Sequence, residues 1–271
     1  MSLSFRLADV TTAAARVLAI SSAEIERAER LKGGLTNDSW LVSAGDRQVV
    51  VRISTADDHS LKIDRMSESL ALAAAQQAGV GPDVLLLDME ERLLVTRFLP
   101  GQVWSCEEAR KTYNIRRLAN VLARVHAATV PQGIAILDYQ GILQDYWRTL
   151  ERRGEVEPTD PWNRKELLEM ARVLSTGTAR CLCHNDVHHL NVVDAGRLWL
   201  LDWEYAGIGD PYFDLASVCC YHAYDEAMSR QLLHDYLGRD DDTAYTRLEL
   251  ACRLFEYIRR LWLAVRGGQE R

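Results

Sequence analysis

Residues 181–214 constrain the fold of this chain most, because two short apolar runs there each lead into a polar cluster. The first run leads into His184-Asn185-Asp186, and Asn191 follows in the same loop. The second run, Leu198–Leu201, is followed directly by Asp202. Apolar runs of this length, bounded by polar residues, predict short strands. The two strands would present both aspartates and Asn191 at one edge of a small sheet.

These three side chains have the chemistry that metal-dependent phosphoryl transfer requires. An aspartate such as Asp186 can orient a hydroxyl group and accept its proton. The side-chain oxygens of Asn191 and Asp202 are hard ligands, which Mg²⁺ prefers together with phosphate oxygens. The sequence therefore predicts Asp186 as the catalytic residue, with Asn191 and Asp202 as the metal ligands.

The order of these residues resembles the catalytic segment of a known superfamily. HNDVHHLN (184–191) is similar to the H-x-D-x-x-x-x-N loop of eukaryotic-like kinases, in the form carried by aminoglycoside phosphotransferases and choline kinases. LLDWEYAGIGDPYFDLA (200–216) resembles the segment that replaces D-F-G in that superfamily. Its Asp-Trp-Glu-Tyr is closer to choline/ethanolamine kinases and thiamine-kinase-like proteins than to the antibiotic-modifying enzymes.

This resemblance implies an α+β class and a bilobal, protein-kinase-like fold. Residues 1–99 would form an antiparallel β-sheet lobe that binds the nucleotide. Residues 100–271 would form a mainly helical lobe that holds the catalytic and substrate-binding residues. The implied cofactors are ATP and Mg²⁺.

Within the catalytic segment, the resemblance also implies supporting roles. His184 would hold the loop backbone rather than shuttle protons. His188, two positions after the catalytic aspartate, would contact phosphate. Asp214 would support the loop by accepting backbone N–H bonds.

Net charge and hydropathy restrict the partners. The 271 residues carry a formal net charge of −7 without a Lys/Arg-dense tract, which argues against nucleic acid and anionic membranes. An acidic protein is compatible with a cationic small substrate. The sequence shows neither a basic flank before an apolar stretch nor an apolar run approaching about 18 residues. We expect a cytoplasmic protein that binds neither nucleic acid nor membranes.

Six cysteines are present, and none forms a C-x-x-C pair. Cys181 and Cys183 precede His184, which could indicate a zinc site. Their position in a strand-like run instead favours buried, reduced thiols.

The first part of the chain predicts a helix over 7–19 and then a β-meander with strands near 25–31, 40–43 and 48–53. Its first turn contains GGLTNDSW (33–40). Glycines in a hairpin turn can serve positive φ alone. This stretch also resembles the phosphate-covering loop of choline and thiamine kinases. Gly33 and Gly34 would then let N–H groups approach phosphate, and Thr36 or Asn37 would add a donor.

Arg52 is the one cation near the end of the third strand, where the kinase fold holds a phosphate-binding lysine. The planar guanidinium suits bidentate binding of phosphate oxygens. Residues 61–78 predict a single helix. Glu68 in that helix is the expected partner of Arg52, and Asp64 is the alternative, which could simply interact with the helix dipole.

Two further strands, 84–87 and 93–98, complete the predicted sheet. Leu99-Pro100-Gly101 then resembles the hinge between the lobes. In the family the hinge backbone binds the adenine edge, so the resemblance assigns Arg97 and Leu99 to the nucleotide site.

The rest of the chain predicts helices over 109–127, 140–153, 164–174, 211–237 and 244–266. His126 is expected to be a packing or capping residue. Candidate substrate contacts are Glu204, which replaces the glycine of protein kinases, and the aromatic residues Tyr221, Tyr224, Tyr257 and Trp262. Aromatic rings bind quaternary ammonium groups by cation–π attraction. The same rings could equally belong to the core.

One position departs from the choline kinase pattern. Leu261-Trp262 matches it, but three positions before Trp262, where choline kinases tend to hold another tryptophan, this chain has Arg259. A cation there would oppose a trimethylammonium group unless it points away or pairs with Glu256.

The resemblance therefore implies ATP- and Mg²⁺-dependent phosphorylation of a hydroxyl group on a small, cationic amino alcohol. Choline or ethanolamine is the first expectation. Thiamine kinase and aminoglycoside phosphotransferase activities are alternatives, and a non-catalytic nucleotide-binding regulator is a third.

Overall fold

The structure is a computed structural model that describes residues 7–31, 36–55, 57–158, 161–176 and 179–267. The first part is an antiparallel five-stranded sheet. Its strands are β1 (Arg27–Arg30), β2 (Asn37–Ala44), β3 (Arg47–Ser54), β4 (Val84–Asp88) and β5 (Leu93–Arg97), in the spatial order β1-β2-β3-β5-β4. The predicted meander is confirmed.

One face of this sheet is covered by α1 (Leu7–Leu18). Inward-pointing residues of the strands, among them Val42, Val51 and Val95, form a small core with Val10 and Ala14 of the helix. Alternation along β3 sends Val49, Val51 and Ile53 into this core. Arg52 therefore points to the opposite face of the sheet.

The helix predicted over 61–78 is present as α3 (Arg65–Gln77), but it begins four residues later than predicted, because Leu61 ends a separate short helix, α2 (Asp58–Leu61). Lys62 ends α2 in the left-handed conformation, with φ of 61°. The Asp64 side chain then caps α3 by accepting hydrogen bonds from the N–H groups of Met66 and Ser67. A side-chain cap satisfies N–H groups that a new helix leaves unpaired, so it favours a restart at this point.

The second part is mainly helical. Its helices are α4 (Cys106–Ala109), α5 (Thr112–His126), α6 (Tyr139–Arg153), α7 (Arg164–Leu174), α8 (Pro211–Tyr221), α9 (Glu226–Leu237) and α10 (Asp242–Arg266). The helix predicted over 211–237 is thus two helices. Ala223 has a φ of 47°, and the Asp225 side chain caps α9.

Short strands lie between α7 and α8 and form two separate sheets. β7 (Cys181–Cys183) pairs with β10 (Gly207–Gly209). β9 (Leu198–Leu200) pairs with β8 (Val192–Asp194), which also pairs with β6 (Gln102–Val103). The expectation that the two predicted strands build one sheet edge is therefore corrected. The polar loops after β7 and β9 meet instead through hydrogen bonds, such as the one from the His184 ring to the carbonyl of Leu201.

The larger buried core joins α3 to the helices of the second part. It includes Leu72 of α3, Leu118 and Leu122 of α5, and Leu254 of α10. The helix that carries Glu68 is thus held against the second part of the chain. Within the described ranges, no helix combines the length and the hydropathy that crossing a membrane requires.

We expect Leu118→Ala to lower the free energy of unfolding by about 3 kcal/mol, because Leu118 is fully buried in α5 and its truncation leaves a cavity. Tyr113→Ala, in the same helix but with the side chain 71% exposed, should cost less than about 1 kcal/mol. Urea unfolding followed by circular dichroism measures both. Equal losses of unfolding free energy in the two variants would contradict the burial of Leu118 and the exposure of Tyr113.

Candidate active site

Asp214 fixes the start of the loop after β7. It lies in the first turn of α8 and is fully buried. Its Oδ2 accepts the N–H of His184 at 2.9 Å, and its Oδ1 accepts the N–H of Asn185 at 2.6 Å. The predicted supporting role of Asp214 is confirmed. Its third partner is Nε2 of His126, at 3.0 Å, so His126 packs against the support of the loop.

The ring of His184 joins this loop to the segment after β9. Its Nε2 lies 2.8 Å from the carbonyl oxygen of Leu201, and its Nδ1 accepts the N–H of Asp186 at 3.3 Å. These contacts assign the proton to Nε2. Burial lowers the pKa of His184, which agrees with a neutral ring. The geometry matches the architectural role expected for this residue.

Three side chains surround the carboxylate of Asp186. The hydroxyl of Tyr221 donates to Oδ1 at 2.6 Å, Nδ2 of Asn191 donates to Oδ2 at 3.2 Å, and Nε2 of His188 lies 3.5 Å from Oδ2. Burial alone would raise the pKa of Asp186, but His188 and Tyr221 outweigh it and hold this pKa below its ordinary value. Asp186 is therefore an ionised, oriented carboxylate.

Asp202 is brought to the same place by the backbone. The N–H of Leu201 donates to the carbonyl of Asn191 at 2.8 Å, and Asp202 adopts φ of 61°. Its Oδ1 lies 2.9 Å from Nη1 of Arg52. Burial, with the negative charges of Glu68 and Asp186, raises the pKa of Asp202, although Arg52 opposes the change. Such a carboxylate favours a cation beside it.

Arg52 contacts the predicted partner Glu68 as well as Asp202. Burial would lower the pKa of its guanidinium, but the three acids Glu68, Asp202 and Glu204 raise it. Arg52 is thus a buried, permanently charged group between α3 and the loop after β9. The choice of Glu68 over Asp64 agrees with the structure, since Asp64 serves as the cap of α3.

Arg65, which the sequence analysis missed, extends this network. Its Nη1 lies 2.8 Å from Glu68 and 3.1 Å from Glu204, and its Nη2 lies 2.8 Å from Asp58. The spacing of Arg65 and Glu68 by three residues in one helix was the available signal. Arg65 therefore connects three acids from three segments of the chain.

Thr36 and Asn37 are buried and bonded to Glu204. The Thr36 hydroxyl donates to Oε1, and Nδ2 of Asn37 donates to Oε2 at 2.9 Å. The side chain of Glu204 is only 3% exposed. These contacts join the turn before β2 to the second part of the chain, and they occupy Glu204, which was predicted to contact substrate. Gly33 and Gly34 lie outside the described residues.

Backbone hydrogen bonds fix the segment predicted as a hinge both before and after Pro100. The N–H of Arg97 donates to the carbonyl of Asp83 at 2.9 Å, and the Arg97 side chain is exposed beside Asp83. The carbonyl of Leu99 accepts the N–H of Gly101 at 2.8 Å. A Cβ at Gly101 would lie 2.5 Å from the carbonyl oxygen of Asp194, so only glycine lets this segment approach β8.

The aromatic residues predicted to contact substrate lie in different parts of the structure. Tyr221 touches Asp186, as described. Tyr257 is 2% exposed, and its hydroxyl accepts the indole N–H of Trp147 at 3.0 Å. Its prediction as a substrate contact is corrected, because the ring belongs to the core. Tyr224 donates its hydroxyl to the carbonyl of Ala109 and lines a separate cavity of about 370 Å³.

Trp262 forms a pair that the sequence analysis missed. Its indole N–H donates to the hydroxyl of Tyr205 at 2.8 Å. The carbonyl of Tyr205 accepts Nδ2 of Asn185 at 2.9 Å, which links this pair to the loop. Arg259 is bonded to Glu256 at 2.9 and 3.1 Å and lies 5.8 Å from the ring centre of Tyr221.

The chain belongs to the phosphotransferase enzyme family (APH), whose sequence profile matches residues 27–251. Thiamine kinase of Escherichia coli O17:K52:H18 is 30% identical over 214 residues, which cover 76% of this chain and 69% of that protein. Protein LicA of Haemophilus influenzae is 25% identical over 227 residues. That match covers 81% of this chain but only 65% of the LicA sequence.

Solved structures show the same fold. A choline/ethanolamine kinase family protein from Mesorhizobium loti has a TM-score of 0.75 and 25% identity, covering 94% of this chain and 85% of that one. Choline kinase LicA from Streptococcus pneumoniae has a TM-score of 0.78 and 20% identity, covering 97% and 92%. The predicted α+β, kinase-like fold is confirmed.

We expect Glu204 to make stability depend on pH. Burial and the nearby Asp202 raise the pKa of Glu204 to about 7 from an ordinary value of 4.5. Between these values the folded protein holds a proton that the unfolded chain has released. The free energy of unfolding therefore falls as pH rises through this window. Between about pH 5 and about pH 8 this component amounts to about 2 kcal/mol.

Urea unfolding of the wild type and of Glu204→Gln at both pH values measures this component. The wild type should lose more stability than the variant as pH rises. Glu226→Gln, an exposed substitution in α9, should keep the wild-type pH dependence. Parallel pH curves for the wild type and Glu204→Gln would show that Glu204 does not titrate in this range.

Proposed function

We propose that this protein is an ATP- and Mg²⁺-dependent kinase that phosphorylates the hydroxyl group of a small amino alcohol, choline or ethanolamine. The observation that carries the proposal is the oriented carboxylate of Asp186, bonded to Tyr221 and Asn191 beside Asp202. A phosphoryl-transfer site needs positioned groups and charge stabilisation more than covalent chemistry. This arrangement supplies both.

The residues present fit a magnesium ion. Nδ2 of Asn191 donates to Asp186, which leaves its amide oxygen as an acceptor. Asp202 adds a carboxylate whose surroundings favour a cation. These two are hard oxygen ligands, and we infer that they hold Mg²⁺. When bound, the ion would neutralise charge on the nucleotide phosphates.

Arg52 is the proposed phosphate-binding residue, with Glu68 as the group that positions it. A guanidinium keeps its charge when buried and can bind two phosphate oxygens at once. Adenine would lie against the backbone near Arg97 and Leu99. Two proteins of this fold support nucleotide binding: LicA has been solved with AMP and a spectinomycin phosphotransferase with ADP.

Asp186 would act on the acceptor hydroxyl. The pKa of Asp186 is held below its ordinary value, which makes this carboxylate a weak base. Its main contribution is therefore to orient the hydroxyl. It receives the proton as the new bond to phosphorus forms. Tyr221 and Asn191 fix the two carboxylate oxygens and thereby leave a defined direction for the acceptor. His188 lies beside this carboxylate and can contact a transferred phosphoryl group.

The acceptor side of Asp186 favours a small cationic alcohol. Tyr221 and the Tyr205–Trp262 pair are aromatic, and aromatic rings attract ammonium groups. The rings of Tyr221 and Trp262 already attract cations of this chain, since Arg259 lies 5.8 Å from the first ring centre and Arg266 lies 5.6 Å from the second. Arg259 is compensated by its bonds to Glu256, so it does not present an unbalanced positive charge. The similarity to LicA and to a choline/ethanolamine kinase family protein supports the same acceptor class.

Thiamine is a second candidate acceptor. It is favoured by the 30% identity to thiamine kinase over 214 residues. Thiamine is also a cationic primary alcohol, so the site features named above do not separate it from choline.

Release of ADP from Mg²⁺-ATP tests the proposal, with choline, ethanolamine, thiamine and an aminoglycoside as acceptors. We expect one amino alcohol to stimulate release. Asp186→Asn should lower kcat by about a hundredfold or more, because the oriented carboxylate is lost.

Asp240→Asn, which changes an exposed aspartate between α9 and α10, is the matched control and should keep normal turnover. Near-normal turnover of Asp186→Asn would overturn the assignment of the catalytic residue. Nucleotide binding without stimulation by any acceptor would overturn the proposed acceptor class.

A further inference from the structure

Three thiols meet where α8 packs against α10. Cys219 and Cys220 lie in the last turn of α8, and Cys252 lies in α10. The thiol of Cys220 donates to the carbonyl oxygen of Cys252 at 3.5 Å. This bond holds the end of α8 beside the turn of α10 that carries Cys252.

The thiol of Cys252 is within hydrogen-bonding reach of the thiols of both Cys219 and Cys220. Cys219 has a further partner, the hydroxyl of Ser229 in α9. These hydrogen bonds, above all the one from Cys252, lower the pKa of Cys219 against the effect of its burial. A thiol with a lowered pKa forms the nucleophilic thiolate more readily, so Cys219 is the more reactive member of the group.

A cavity of about 370 Å³ gives small molecules access to these sulfur atoms. Its lining includes all three cysteines together with the exposed residues Glu226, Glu249 and Arg253. The cavity therefore reaches the protein surface. A water molecule takes up about 30 Å³ in the liquid, so the cavity has room for a small peroxide next to the thiols.

We propose that Cys219 and Cys252 form an oxidation site, in which a hydroperoxide converts the two thiols to a disulfide. The oxygen–oxygen bond of the hydroperoxide breaks and accepts the two electrons that the thiols lose. One sulfur–sulfur bond forms, and both thiol protons go to oxygen. The other products are one alcohol and one water, or two waters from hydrogen peroxide. Cys220 is not the partner, because its thiol is directed to the backbone carbonyl of Cys252.

The disulfide would restrain the helix that carries Tyr221. Tyr221 follows Cys220 in α8, and its hydroxyl donates to Asp186 at 2.6 Å. A covalent bond from α8 to α10 closes a loop that contains α9 and restricts the unfolded chain. Reducing thiols would reverse the bond, as for other redox-sensing cysteines. The proposal does not depend on which alcohol, if any, is phosphorylated, because these thiols lie outside the proposed phosphoryl-transfer site.

Treatment of the purified, reduced full chain with hydrogen peroxide tests the pair in the wild type, without any variant that has to fold. The remaining thiols are alkylated, the protein is digested without reductant, and the peptides are examined by mass spectrometry. We expect the peptide that contains Cys219 to be joined to the peptide that contains Cys252, with the alkyl group on Cys220. Dithiothreitol should separate the two peptides. Absence of this linked peptide, or a link through Cys220, would overturn the proposal.

Single substitutions then test each sulfur atom. Cys219→Ser and Cys252→Ser should each abolish the linked peptide. Cys220→Ser, which changes the neighbouring thiol, and Cys106→Ser, which changes an exposed thiol, are the matched controls and should keep it. Loss of the linked peptide in Cys220→Ser, or a link to Cys252 that persists at wild-type yield in Cys219→Ser, would contradict the assignment of Cys219.

Discussion

The buried carboxylate of Asp214 is the interaction on which the site depends. A fully buried ionised group is costly unless several donors satisfy it. Here it has three, which are the backbone N–H groups of His184 and Asn185 and the ring of His126. Two consecutive N–H groups bound to one carboxylate fix the direction of the chain. The loop then turns at Asn185, with φ of 65°, and presents Asp186 to Tyr221.

A charge network from three segments forms the other half of the site. Arg52 and Arg65 lie among Glu68, Asp58, Asp202 and Glu204. Two cations face four acidic side chains, so the formal charge of the network with every acid ionised is 2 − 4 = −2 in a poorly solvated region.

Burial raises the pKa values of Asp202 and Glu204, and neighbouring acids raise them further. The excess of negative charge is the reason we propose a divalent cation beside Asp202. The same bonds connect β3 and α3 to the loop after β9, so the proposed phosphate and metal sites are held in one network.

The motif residues could be predicted from the sequence because their chemistry and order are specific. Asp186, Asn191, Asp202 and the Arg52–Glu68 pair come together as expected. The pairing of the short strands could not be predicted, since three-residue strands carry too few side chains to define a register. Their loops meet through backbone bonds, such as that from Leu201 to Asn191.

The remaining errors have local causes. Helical spacing places Tyr257 and Trp262 on α10 but does not say which ring faces the core. The break before α3 depends on one capping side chain, that of Asp64, which overrides a continuous helical pattern.

The most direct test of the central claim is to measure Asp214→Asn by two readouts, nucleotide affinity by calorimetry and turnover with the best acceptor. The change keeps the size of the side chain but removes the charge that orients two N–H groups. We expect kcat to fall by about a hundredfold, because Asp186 is displaced. Nucleotide affinity should stay within about threefold of the wild type, since Arg52 and Glu68 are untouched. Unchanged turnover, or an equal loss of nucleotide affinity and turnover, would contradict a positioning role for Asp214.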